Sequence, residues 1–225
     1  MDGILLVDKP EGWTSHDVVA KFRGIIKAET GQKIKVGHTG TLDPAATGLL
    51  ILVLGSYTKR AEEFSKLDKV YQAEITLGYN SSTGDKEGEL MKVSDEQPAK
   101  QAVEAVLRQF EGEILQKPHK YSAVKIDGQR AYKAARAGKT VGIEFRKVTI
   151  YEITDVEYEY PNLSFTCKVS SGTYIRSLAE DIGAALVTGA YLSALRRTQV
   201  GNFKVEKCLK INDLSLLEIQ KHLQK

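Results

Sequence analysis

The strongest constraint on the fold is a glycine-rich loop at residues 37–48 that runs directly into an uninterrupted apolar stretch. Residues 49–54 read LLILVL, which is typical of a buried strand. The loop carries a single acid, Asp43, and the following Pro44 favours an extended backbone there. Its glycines permit positive φ angles and close approach to a ligand. Such a loop suits a catalytic carboxylate, although an Asp-Pro pair that only begins a turn gives the same pattern.

Strand-like and helix-like patterns mix along the rest of the chain without strict β-α-β alternation. The segments predicted as strands are residues 4–7, 49–54, 70–77, 140–160 and 163–171. The segments predicted as helices are one capped by Thr14 or Ser15, one with Pro98 in its first turn, residues 174–186, and a tail helix in residues 213–223 that packs Leu214, Leu217 and Leu223. We therefore expect an α+β fold with a mixed, largely antiparallel central sheet and flanking helices.

Composition is that of an ordinary globular protein, with 42% hydrophobic and 27% charged residues in 225. The two cysteines, Cys167 and Cys208, lie far apart in sequence, which favours a reducing compartment over a disulfide framework. Asp8 and Lys9 interrupt the first apolar stretch, so a signal peptide is not expected, and no apolar run is long enough to cross a bilayer. We expect a cytoplasmic protein without a membrane partner.

Charge is concentrated in two places, although the net charge is only +3. Residues 117–147 contain nine Lys/Arg against two acids, a local charge of +7, with Tyr121 and Tyr132 interleaved. The second basic group comprises Arg196, Arg197, Lys204, Lys207 and Lys210. Cations with aromatics suit phosphate neutralisation and base contacts in an RNA-binding protein. On composition alone, a solvated lysine-rich surface is an equal alternative.

Together with the loop at residues 37–50, six further blocks resemble the TruB family of tRNA pseudouridine synthases, in the family's order. They are residues 8–19 (DKPEGWTS with DVV), residues 69–71 (KVY), residues 78–88 with Thr83 and Asp85, residues 121–138, residues 172–176 (GTYIR), and residues 195–203 (LRR with Gly201 and Phe203). The resemblance covers nearly the whole chain. It implies the pseudouridine synthase fold, with an active-site cleft, and isomerisation of uridine 55 in the T-loop of tRNA.

The resemblance also assigns the catalytic residues. Asp43 is the catalytic carboxylate, which either attacks C1′ or removes the C2′ proton. Arg176 is its candidate guanidinium partner, since a neighbouring cation favours the ionised acid. Tyr71 supplies an aromatic face for the flipped base and a hydroxyl that assists proton removal at C5. Without the motif, Arg176 would be a surface helix residue and Tyr71 a core aromatic of a strand.

Four further residues are assigned to substrate binding by the same resemblance. His38 displaces or stacks on RNA bases, and Tyr174 supports the pocket. Lys9 contacts RNA or braces the loop, and Leu195 lines the uracil pocket. No dinucleotide-binding, P-loop or HExxH motif is present, and the four histidines show no ligand spacing, so we expect no cofactor and no metal.

The last recognisable block ends near Phe203, and the residues after it are too few for an independent RNA-binding domain. We expect a catalytic domain over residues 1–212 and a short tail over 213–225 with no PUA-type domain. The expected partner is the tRNA T-stem-loop, bound by a monomer without a guide RNA. Two alternatives stay open: a tRNA-binding or folding helper with incidental or lost catalysis, and a synthase for a different RNA uridine.

Overall fold

The computed structural model describes residues 1–119, 125, 126, 129, 130 and 144–225. The strands are β1 (Gly3–Lys9), β2 (Val36–Thr39), β3 (Thr47–Leu54), β4 (Lys69–Leu77), β5 (Tyr79–Ser81), β6 (Leu90–Lys92), β7 (Gly112–Gln116), β8 (Lys125–Ile126), β9 (Gln129–Arg130), β10 (Arg146–Glu159), β11 (Asn162–Val169), β12 (Ala190–Val200), β13 (Phe203–Lys204) and β14 (Leu209–Lys210). The helices are α1 (Ser15–Thr30), α2 (Ala61–Ser65), α3 (Lys100–Gln109), α4 (Ile175–Ala185) and α5 (Leu216–His222).

Ten of these strands belong to a mixed sheet, as the α+β prediction requires. The pairings of β1 with β14 and of β12 with β3 are parallel, and the other pairings whose registers the structure describes are antiparallel. The expectation of an α+β fold with a mixed sheet and flanking helices is confirmed. The chain divides into two compact units, residues 1–71 with 195–225 and residues 72–194. The domain boundary at residue 212 stays a prediction.

In the first unit, β1 and β3 are buried on both faces, which explains their continuous apolar sequences. Successive side chains of a strand point to opposite faces. Leu50, Leu52 and Leu54 therefore pack in one core cluster, and Leu49, Ile51 and Val53 pack in another. Helix α1 contributes to the first cluster. It begins at the predicted position, where Thr14 and Asp17 form a reciprocal capping box.

In the second unit, β11 shows the alternation of a strand with one buried face. Leu163, Phe165, Cys167 and Val169 are buried, and the residues between them are more exposed. A turn at residues 160–161 joins β10 to this strand, one residue earlier than the predicted turn at residues 161–162. Helix α4 confirms the helix expected at residues 174–186.

Two details of the helix predictions are wrong. Pro98 does not lie in the first turn of α3, because Ala99 is the N-cap and the helix begins at Lys100. In the tail, Leu217 is 71% exposed, and Ile219 is the residue that α5 buries. Leu214 and Leu223 pack against the core as predicted, so the error is confined to Leu217.

Candidate active site

Asp43 lies in the connection between β2 and β3, at the first position of a tight turn. The backbone N–H of Ala46 donates to the carbonyl oxygen of Asp43 at 3.1 Å. Pro44 occupies the second position, which suits its fixed φ. Asp43 itself is half-buried. The Asp-Pro pair therefore does begin a turn, and this turn leaves the acid partly accessible.

Residues of the first sequence block hold this turn from both sides. The ammonium of Lys9 donates to the carbonyl of Pro44 at 3.2 Å and to two carbonyls of its own segment. The N–H of Gly12 donates to the same Pro44 carbonyl at 2.9 Å. On the other side, the Ser15 hydroxyl accepts from the N–H of Leu42 at 2.9 Å and donates to its carbonyl at 3.0 Å. These contacts fix the backbone immediately before and after Asp43.

Arg197 is the third side chain that anchors the loop; the LRR block contains both Arg196 and Arg197 and does not single out Arg197. By sequence, Arg197 belongs to the second basic group of the chain. In the structure, however, the residue is buried and only 1% exposed. Its Nε donates to the carbonyl of Leu49 at 2.7 Å, and its Nη2 donates to the carbonyl of Gly40 at 3.0 Å. Arg197 lies opposite Gly48 in the parallel pairing of β12 with β3. Nothing in its local sequence distinguishes it from the half-buried Arg196 beside it.

Buried cations cluster in the first unit. The pKa of Lys9 is lowered to about 8, chiefly by burial; the negative charges of Asp43 and Glu11 oppose the shift, and the positive charge of Arg197 adds to it. Burial also lowers the pKa of Lys69 to about 8, again with a contribution from Arg197. Of the two roles expected for Lys9, these contacts and its complete burial fit the brace.

Three more of the predicted site residues lie in the same unit. Tyr71 is on β4 and is 8% exposed. His38 is on β2 and is half-buried. Leu195 is half-buried on β12, and its carbonyl accepts the hydroxyl of Thr47 at 3.5 Å.

Arg176 lies in the second unit, at the second residue of α4, and is buried rather than on the surface. Its Nη1 lies 3.2 Å from Oδ2 of Asp85 and donates to the carbonyl of Thr83 at 3.1 Å. The other carboxylate oxygen of Asp85 accepts from the Thr83 hydroxyl at 2.6 Å and from the Glu87 N–H at 3.1 Å. Asp85 therefore fixes the guanidinium. The sequence contained Asp85 in a family block but gave no sign of this pairing.

Tyr174, the N-cap residue of α4, is held by a side-chain clamp. The amide of Gln116 accepts from the Tyr174 N–H at 2.8 Å and donates to the Tyr174 carbonyl at 3.0 Å. Gln116 is the last residue of β7 and is 1% exposed. This contact fixes the backbone two residues before Arg176, and Gln116 was not among the predicted site residues.

Some expectations lie outside the described residues, namely Tyr121, Tyr132 and most of the basic stretch at residues 117–147. Among the residues that the structure does describe, no group of three or more His, Cys, Asp or Glu could hold a metal ion. Within the same residues, no helix is both long and apolar enough to cross a membrane. The expected absence of cofactor and metal stays a prediction.

Comparison with known proteins identifies the family. Residues 23–175 match the model of the TruB family pseudouridylate synthase N-terminal domain, and residues 176–225 match that of the tRNA pseudouridylate synthase B C-terminal domain. Two relatives named tRNA pseudouridine synthase B, from Burkholderia lata and Thermobifida fusca, are each 45% identical. Their matches cover 96% and 95% of this chain, and 65% and 74% of the respective relatives.

Solved structures are also similar to this chain. A chain in the crystal structure of a Cbf5-Nop10-Gar1 complex is 34% identical, with a TM-score of 0.72. A chain in a structure of an H/ACA RNP bound to a substrate RNA is 31% identical, with a TM-score of 0.69. Each match covers 94% of this chain, which spans 53% and 52% of those chains. The chain belongs to the TruB family of pseudouridylate synthases, an enzyme family of isomerases.

Proposed function

We propose that the protein converts uridine 55 in the T-loop of tRNA to pseudouridine, in the cytoplasm and without a guide RNA. The observation that carries the proposal is the anchoring of the Asp43 loop by Lys9, Ser15 and Arg197. A catalytic group must be held within a fraction of an ångström of its working position, and such a loop meets that need. The names of the two bacterial relatives support tRNA as the substrate.

The reaction breaks the bond between N1 and C1′, turns the uracil, and forms a bond from C5 to C1′. The proton on C5 is lost and a proton is gained at N1, so no oxidant or group donor is consumed. In this proposal Asp43 either attacks C1′ or removes the C2′ proton. Both roles need the carboxylate form of Asp43.

The other proposed site residues bind the flipped uridine or supply the catalytic guanidinium. Flipping the uridine out of its stack costs a few kcal/mol. Stacking on an aromatic ring recovers about 1–3 kcal/mol, and we assign this role to Tyr71. Arg176 is the proposed catalytic guanidinium, and its buried pair with Asp85 keeps it in one orientation. His38, Tyr174 and Leu195 are assigned to substrate binding.

The decisive experiment is tritium release from C5-tritiated uridine in a T-stem-loop RNA. Because isomerisation changes no mass, loss of the C5 label reports the reaction directly. Wild type and Glu63→Gln, which alters an exposed carboxylate of the same unit, should release tritium, and Asp43→Asn should not. Asp43→Asn should still bind the RNA. Release by Asp43→Asn at the wild-type rate would refute the assignment.

The alternatives give different outcomes in the same assay. A tRNA-binding helper would bind tRNA without releasing tritium from the stem-loop or from whole tRNA. A synthase for another uridine would release label only from a different RNA. Binding through phosphates also predicts that affinity falls steeply between about 50 and 200 mM salt. Affinity that is insensitive to salt would contradict that mode of binding.

A further inference from the structure

The hydrogen bonds of Arg197 have an unusual distribution for a buried cation. The residue is 1% exposed, so its charge has left water, which is costly unless the donors are well satisfied. Nε donates to the carbonyl of Leu49 at 2.7 Å, and Nη2 donates to the carbonyl of Gly40 at 3.0 Å. Both acceptors are backbone atoms, and they come from two separate segments of the chain.

These two segments flank Asp43: one is the start of the connection between β2 and β3, and the other is β3 itself. Gly40 lies three residues before the acid and Leu49 lies six residues after it. A planar guanidinium presents several N–H donors in a fixed fork, so it can bind two acceptors at a fixed separation. Arg197 therefore cross-links the segment before Asp43 to the strand after it.

Burial also separates this role from RNA binding. A side chain in a residue that is 1% exposed cannot reach a phosphate, so Arg197 does not act as one of the surface cations of the second basic group. Its backbone is fixed as well, because it pairs with Gly48 of the neighbouring parallel strand. Both the main chain and the side chain of Arg197 thus contact the loop or the strand that follows it.

We propose that Arg197 is a positioning residue for Asp43, which it holds in place by joining the carbonyls of Gly40 and Leu49. The inference rests on the proposed function, in which Asp43 is the catalytic carboxylate. In this inference, Arg197 determines the geometry of the loop and does not contribute to substrate affinity. Its loss should therefore lower kcat and leave the affinity for tRNA unchanged.

Two variants and one control test this inference. Arg197→Met removes both hydrogen bonds, and Arg197→Lys keeps the charge but cannot reproduce the fork. Arg23→Met is the control, because it removes a guanidinium that donates to one backbone carbonyl, that of Val36 at 3.0 Å, and does not contact the two carbonyls that Arg197 joins. For each variant, kcat and KM are measured by tritium release and the tRNA Kd by filter binding. Amide exchange is followed over residues 40–49.

A displacement of about 1 Å at a reacting group costs roughly 100-fold in rate. We expect kcat to fall about 100-fold in Arg197→Met and about tenfold in Arg197→Lys, with Kd within about twofold of wild type and faster exchange in the loop. Arg23→Met should behave as wild type. The inference is overturned if kcat of Arg197→Lys stays within about twofold of wild type, or if kcat and tRNA affinity fall together.

Asp43→Asn, tested in parallel, separates this inference from the proposed function. If the wild type releases no tritium, the proposed function fails; if Asp43→Asn retains turnover, the assignment of Asp43 fails and the positioning role fails with it. If Asp43→Asn is inactive while both Arg197 variants turn over as wild type, only the positioning role fails.

Discussion

Replacing Gly48 with alanine should strongly destabilise the first unit, because a Cβ at this position has no space. The backbone of Gly48 has φ of +100°, which L-residues rarely adopt. An added Cβ would lie 2.3 Å from the carbonyl oxygen of Arg197 and 2.8 Å from its nitrogen. Both are backbone atoms of the neighbouring strand, so a change of rotamer cannot relieve the clash.

The expected loss is the sum of two costs. The positive φ costs an alanine about 1–2 kcal/mol. Moving β3 away from β12 to admit the methyl group weakens strand hydrogen bonds, at about 1 kcal/mol each. With at least two bonds affected, the free energy of unfolding should fall by about 3 kcal/mol or more.

Two glycines of the same unit serve as matched controls. Gly31, the C-cap of α1, has φ of +70° with nothing within 4 Å of an added Cβ, so Gly31→Ala should cost only the strain, about 1 kcal/mol. Gly24 lies within α1 with open space around it, and Gly24→Ala should stabilise by about 0.5–1 kcal/mol. Urea unfolding is followed by fluorescence of Trp13, the single tryptophan, which packs against the core of this unit. A loss in Gly48→Ala no larger than that in Gly31→Ala would refute the argument.

Three further predictions follow from the buried polar contacts. Because burial lowers the pKa of Lys9 from 10.5 to about 8, the native state binds fewer protons than the unfolded chain between these values. The free energy of unfolding should therefore rise with pH across this window, and urea titrations should show a smaller rise in Lys9→Met; an unchanged slope would exclude the shift. Asp85→Ala removes the carboxylate at 3.2 Å from the buried Arg176 and should cost about 3 kcal/mol in unfolding followed by circular dichroism, whereas a loss below about 1 kcal/mol would contradict the pairing. Gln116→Met removes both hydrogen bonds to the Tyr174 backbone and should lower kcat about tenfold with tRNA Kd unchanged; wild-type kcat would exclude the clamp as a positioning contact.

Several features of this protein follow from local sequence, because the determining interactions are local. The buried strand β3 is specified by its continuous apolar run, and the start of α1 is specified by the capping box of Thr14 and Asp17. The turn at Asp43 follows from the proline after it. In the tail, where the apolar spacing fitted more than one helical face, the prediction that Leu217 is buried was wrong.

The contacts that surround the candidate site residues were decided by the tertiary structure. Arg197 meets Gly40 across 157 positions, Arg176 meets Asp85 across 91, and the side chain of Gln116 meets Tyr174 across 58. No periodicity or turn signal in one segment reports a partner in another. The sequence by itself thus determined the elements and the acid-bearing loop, whereas chain folding selected which of two adjacent arginines is buried. Only the folded chain places backbone carbonyls where a buried guanidinium can satisfy its donors.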